Sequence, residues 1–236
     1  MAEGGKILAT VLKQIASMVK PGITTMELDR AAEALILAAG AKPAFKGYEG
    51  FPYSLCASVN ENVVHGYPSN EPLKNGDIVG LDLGVFHKGY NTDMAMTVAV
   101  GEISFEAKRL LKVTEKALRL GLKKARHGVK TGDLGNTIQR FVEDQGFGVV
   151  RTLYGHGIGK KVHEDPYVPN YGKRDTGIEL QEGMVICIEP MITAGDYNLR
   201  ESADGYGFAT QDGSLAAHFE HTVAITRDGC RVLTQS

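Results

Sequence analysis

Four acidic residues stand in or beside stretches of sequence that are otherwise apolar. Asp82 lies inside Ile78-Val79-Gly80-Leu81-Asp82-Leu83-Gly84-Val85, and Asp93 follows eleven residues later. Glu189 ends Met184-Val185-Ile186-Cys187-Ile188 just before Pro190, and Glu220 is embedded in Ala217-His218-Phe219-Glu220-His221-Thr222-Val223-Ala224-Ile225. A carboxylate taken out of water without a partner costs several kcal/mol, so each must be bound to something. Taken singly, Asp82 reads as a hydrogen-bonded structural acid, the usual fate of a buried charge. Taken together the four read differently. A turn near His87-Lys88-Gly89 brings Asp82 and Asp93 roughly opposite each other in a hairpin, and carboxylates that close repel unless a proton or cation sits between them. Tyr154-Gly155-His156-Gly157-Ile158-Gly159-Lys160 adds an imidazole on a loop whose glycines allow close backbone approach. Four carboxylates and one imidazole make a coordination set for two divalent cations, with four negative charges balanced by four positive ones. Oxygen and imidazole donors suit manganese, iron, cobalt or zinc.

Rival chemistries lack their residues. The glycine loop is not a phosphate-binding loop, because Lys160 is followed by Lys161 where Ser or Thr is required. His163-Glu164-Asp165 has no second His at zinc-protease spacing, and Ser214 lacks the glycines of a nucleophile elbow.

The elements that must position this set follow from periodicity. Residues 3–19 carry Ile7, Leu8, Val11, Leu12 and Ile15 at helical spacing and stop at Pro21-Gly22. Thr24-Thr25-Met26-Glu27 predicts a capping box opening a second helix. Residues 104–126 form a third helix. Gly22-Ile23-Thr24-Thr25-Met26-Glu27-Leu28 returns as Gly128-Val129-Lys130-Thr131-Gly132-Asp133-Leu134, 106 positions on, and the same offset carries Gly40 onto Gly146. The period shifts toward two over 54–59, 77–85, 90–100, 148–153, 184–188 and 217–226, which predicts strands. Two related halves, 1–103 and 104–236, each with two helices packed on a shared sheet, are expected to form one catalytic domain over 1–236 of α/β (α+β) class.

Composition agrees with such a chain. With 43% hydrophobic residues in 236 it can bury a sizeable core, and 26 basic against 28 acidic residues leave no field to hold a nucleic acid. Lys123-Lys124-Ala125-Arg126 ends a helix, where cations complement the macrodipole. Cys56, Cys187 and Cys230 are odd in number and widely spaced, as in a reducing compartment. The longest run without a polar side chain, 34–41, falls short of the roughly 18 residues of a membrane span. Acidic Glu3 and the lack of a cleavage pattern speak against a signal peptide, so a soluble cytoplasmic protein is expected.

The motifs in order are Val59-Asn60-Glu61, His65-Gly66-Tyr67-Pro68, Gly76-Asp77-Ile78-Val79 through Asp82, Asp93, Gly155-His156-Gly157-Ile158-Gly159, His163-Glu164, Ile188-Glu189-Pro190-Met191 and Glu220-His221-Thr222. In this respect the sequence resembles the type I methionine aminopeptidases, of the pita-bread fold shared with prolidase and creatinase, over nearly its whole length. The resemblance implies a curved, mainly antiparallel sheet carrying two pseudo-symmetric helix pairs. It implies that Asp82, Asp93, His156, Glu189 and Glu220 bind two divalent metal ions, with Asp93 and Glu220 bridging. It further implies that Glu189 shuttles a proton, that His65 and His163 contact the substrate and the scissile peptide, and that Phe45, Tyr48, Phe51, Cys56 and Tyr206 line the methionine pocket. The implied reaction removes the N-terminal methionine of peptides and nascent chains, with a small second residue preferred. The ribosome is one place to meet them, and a monomer is expected. Tyr206 stands where many members have Trp, and Val162 where an aromatic is common.

Overall fold

A computed structural model describes residues 1–202 and 205–235. Helices α1 (Ala2–Met18) and α2 (Thr25–Ala38) precede strands β1 (Lys42–Pro43), β2 (Leu55–Val59), β3 (Asn62–Val64), β4 (Ile78–His87) and β5 (Tyr90–Ala99). Helices α3 (Phe105–Lys124) and α4 (Thr131–Asp144) then precede β6 (Gly148–Val149), β7 (Gly155–Gly157), β8 (Glu164–Val168), β9 (Val185–Ile188) and β10 (Met191–Thr193). The chain closes with β11 (Leu199–Glu201), β12 (Phe208–Thr210), β13 (Ala216–His218), β14 (His221–Ile225) and β15 (Cys230–Val232).

The helix starts have local causes. Thr24 Oγ1 accepts from the Glu27 amide at 3.1 Å and Glu27 Oε2 accepts from the Thr24 amide at 2.8 Å, the reciprocal box the sequence predicts. At the corresponding start of α4 only half of the box exists. Asp133 Oδ2 accepts from the Lys130 amide at 3.4 Å, and a lysine ammonium has no lone pair to return the bond. The repeat extends to the backbone. Gly22 donates to Leu73 O at 2.8 Å and Gly128 to Leu180 O at 2.9 Å, with the two glycines at φ 93° and 80°, left-handed values that disfavour a side chain.

Pairing is antiparallel throughout the ladders. β4 is flanked by β1 and β2 on one edge and β5 on the other, while β15-β14-β9-β7-β8 makes a second sheet, and β13-β10-β6 and β11-β12-β3 are shorter ones. The shared sheet is thus divided into ladders, but a hydrogen-bonded seam joins the halves. Glu220 N donates to Ala95 O at 2.9 Å, and the Thr97 and Thr222 hydroxyls bond the backbone of His218 and Asp93 across the gap.

Alternation along β4 sorts its residues. Val79, Leu81, Leu83 and Val85 join Leu8, Leu12, Ile15, Leu28 and Ile36 of α1 and α2 in one core, leaving Gly80, Asp82 and Gly84 on the opposite face. A second core packs Leu110, Ala117, Leu134 and Ile138 of α3 and α4 against Ile186, Ile188, Val223 and Ile225. Burying each large aliphatic side chain stabilises the fold by about 1.5–3 kcal/mol, which is what clamps helices to sheets here.

Candidate metal centre

Asp82 and Asp93 reach the interior from neighbouring strands. The hairpin turns through Lys88 and Gly89, both at positive φ, so Asp82 pairs with Ala95 and Asp93 with Gly84. The two acids therefore share a face but sit one diagonal step apart rather than directly opposite, because the turn is centred on Lys88-Gly89, one residue beyond His87-Lys88. His156 lies on β7, not on a loop. A Cβ at Gly155 would meet Cys187 O and one at Gly157 would meet Asp165 O, so glycine is what lets this short strand pass between its neighbours. Glu220 sits in the gap between β13 and β14, where the single strand expected over 217–226 is broken. Glu189 follows β9 at Pro190, and Asn170 Nδ2 donates to its carbonyl at 3.0 Å.

These side chains converge. One donor atom each from Asp93, His156, Cys187 and Glu220 lie within 4.8 Å of one another, and Glu189 Oε1 is 3.5 Å from His156 Nε2. Burial, and then the charges of Glu220, Asp82 and Glu189, drive the Asp93 carboxyl well above the ordinary range. Burial first and like charge second do the same to Glu189 and Glu220. Burial also raises Asp82, opposed by nearby His218.

A buried acid with protein partners shows the contrast. Asp29 accepts from the amides of Ser54 and Leu55 at 2.8 and 3.0 Å and so anchors α2 to β2. Asp82 Oδ1, Asp93 Oδ1 and Glu220 Oε1 are buried with no hydrogen-bond partner among the described residues. Three orphaned carboxylate oxygens beside an imidazole are a donor set that fits divalent cations. His156 Nδ1 lies 2.8 Å from Gly157 O, which must accept, so in the neutral ring the proton is on Nδ1 and Nε2 keeps its lone pair facing the acids. Burial lowers its pKa to about 3, so it is neutral and ligand-competent at pH 7.

The acids form the floor of a cavity of about 1070 Å³, and every site residue named from the sequence lines it. His163 stacks edge-on against His156, with ring centroids 4.3 Å apart, and its Nδ1 is 3.1 Å from the Tyr48 hydroxyl. His65 holds a left-handed φ of 59°, and burial with two neighbouring imidazoles lowers its pKa to about 4. Phe45, Phe51, Cys56 and Val162 make an apolar patch with Tyr48 and Tyr206 packed against it. Phe51 lies 5.2 Å from the Tyr206 ring and 5.4 Å from that of Tyr67.

Sequence reasoning missed His218, Cys187, Asn170 and Tyr67. His218 Nε2 lies 3.4 Å from Glu189 Oε2. Strand alternation carried the signal for two of them, since His218 stands two residues before Glu220 and Cys187 two before Glu189.

Comparison with known proteins agrees with this arrangement. The pattern of metallopeptidase family M24 matches residues 1–227. The chain is 50% identical to the methionine aminopeptidase of Clostridium perfringens, covering 99% of this chain and 94% of that one. The crystal structure of methionine aminopeptidase from Rickettsia prowazekii superposes with a TM-score of 0.98 at 42% identity, covering 100% of this chain and 95% of the other. Prolidase from Pyrococcus furiosus shares the fold alone, with a TM-score of 0.82 at 24% identity and 63% of its length covered. On the full-length match of sequence, fold and acidic floor, the chain belongs to metallopeptidase family M24, among its methionine aminopeptidases.

Proposed function

We propose that this chain, acting as one catalytic unit with halves 1–103 and 104–236, removes the N-terminal methionine from peptides and nascent proteins whose second residue is small. The reading takes the protein as a cytoplasmic monomer that meets nascent chains near the ribosome and uses two divalent ions, of manganese, iron, cobalt or zinc. Asp82, Asp93, His156, Glu189 and Glu220 would hold them, with Asp93 and Glu220 shared. The observation that carries it is the group of unpartnered buried carboxylate oxygens at the base of a cavity with an apolar wall.

When bound, the ions supply Lewis acidity and lower the pKa of water toward neutrality. The chain's own groups do the rest. Glu189, with His156 and His218 on either side, takes the proton of the attacking water and returns it to the departing amine. With the Tyr48 hydroxyl donating to His163 Nδ1, the neutral ring carries its proton on Nε2, where it donates to the scissile carbonyl oxygen as charge develops there. His65, held neutral by burial, orients the peptide. Phe45, Phe51, Cys56, Tyr48 and Tyr206 receive the thioether side chain.

The test is hydrolysis of Met-Ala-Ser against an X-Pro peptide with added manganese or cobalt. Cleavage of the first and not the second is expected, and X-Pro cleavage without methionine release would overturn the assignment.

A further inference from the structure

Cys187 is fully buried, yet it belongs to neither apolar core. Its neighbours Ile186 and Ile188 point into the core beneath α3 and α4, so strand alternation turns Cys187 to the opposite face, the one Glu189 shares two positions on. There Sγ lies within 4.8 Å of a donor atom from each of Asp93, His156 and Glu220, and 3.6 Å from the Thr222 hydroxyl. Two of those three partners carry a buried carboxylate oxygen with no hydrogen-bond partner among the described residues. A thiol placed only to fill space would face other apolar groups, as Cys56 does.

The geometry points to Cys187 as a sulfur donor to the metal centre, which makes one of its two positions a mixed sulfur, nitrogen and oxygen site that favours thiophilic ions. This rests on the dinuclear reading above and adds to it an inequality between the two positions. With Asp93 and Glu220 shared, His156, Glu189 and Cys187 would complete one position, since Glu189 Oε1 lies 3.5 Å from His156 Nε2, while Asp82 would complete the other with oxygen alone. Coordination forms a metal–sulfur bond and breaks the S–H bond, with the proton released to buffer and no change in oxidation state. A soft donor shifts preference toward zinc and cadmium and away from manganese and magnesium.

The experiment uses the full-length protein loaded with Co(II), Zn(II) or Cd(II), with metal content measured throughout. Co(II) protein is expected to show a near-ultraviolet thiolate-to-metal charge-transfer band that survives Cys230→Ser and disappears in Cys187→Ser. X-ray absorption on the Zn(II) form should show a sulfur neighbour at about 2.3 Å besides the nitrogen and oxygen shell. Cadmium affinity in Cys187→Ser should fall on the order of tenfold or more, the scale seen when even a supporting group is lost, with manganese affinity little changed. If Cys187→Ser does not fold, a wild-type band and sulfur shell that persist in both Cys56→Ser and Cys230→Ser assign the donor by elimination. Metal bound with no band and no sulfur shell, or a band that persists in Cys187→Ser, overturns the sulfur assignment and leaves the dinuclear reading intact. Protein that takes up no metal at all overturns both.

Discussion

The Thr222 hydroxyl holds the backbone of Asp93 on both sides of its Cα, accepting from Asp93 N at 2.9 Å and donating to Asp93 O at 2.7 Å. These residues are 129 positions apart and belong to different halves of the chain, so one hydroxyl ties the first half's central acid to the strand that follows Glu220. Thr222→Val keeps the shape and removes both bonds, leaving a buried amide and carbonyl without partners. A loss of about 1–3 kcal/mol in denaturant unfolding and weaker metal binding by calorimetry are expected.

Chelation should abolish peptide hydrolysis and lower the melting temperature. The clustered carboxylates lose their counter-charge, and an ion that binds only the folded state stabilises it by about 2.7 kcal/mol at a hundredfold excess over Kd. For a chain of this size that is roughly 5–10 °C in a thermal melt, restored when metal is added back. An unchanged melt after complete metal removal, checked by elemental analysis, would sink the reading.

Glu189→Gln and His163→Ala should separate proton transfer from metal binding. The first should cut kcat by roughly 10²–10⁴-fold with little change in KM, the range of a lost general acid–base group. The second should lower kcat/KM with metal content unchanged, because His163 Nδ1 is engaged by Tyr48 and the ring packs against His156 without belonging to the four-donor cluster. Metal loss in His163→Ala would place that residue among the ligands.

Away from the centre, Asp212 should give an acid-side signature. Its carboxylate accepts from Asp196 N at 2.8 Å and Ser214 N at 3.0 Å, and these bonds lower its pKa from 3.8 to about 2. A depressed folded-state pKa stabilises the fold above the unfolded value and loses that contribution as pH falls through the folded one. The stability difference between wild type and Asp212→Asn, present near pH 5, should therefore shrink between about pH 4 and pH 2. Denaturant midpoints across that range measure it, and a pH-independent difference would contradict the assignment.

Much of the frame was legible because its causes are local. The Thr24–Glu27 box, the glycines that end α2 and α4, and the hairpin after β4 depend on residues within a few positions of one another. The ends of strands were less legible. The stretch 217–226 reads as one strand by period, but Glu220 donates its amide to Ala95 across the seam and so leaves the ladder. No local pattern records that exchange.

That Asp82, Glu189 and Glu220 must be bound to something follows from the residues alone, since a carboxylate in an apolar strand is costly in any fold. The buried faces of the helices follow from the residues in the same way, because 3.6- and two-residue periods translate directly into sides. That these acids lie on one cavity floor became visible in the packing of the halves, which also brings Cys187 and His218 beside them, a placement no residue pattern announces. A buried thiol or imidazole is an ordinary core residue until the side to which its strand turns is known, and that side is set by α3 and α4, packed from dozens of residues away in the chain.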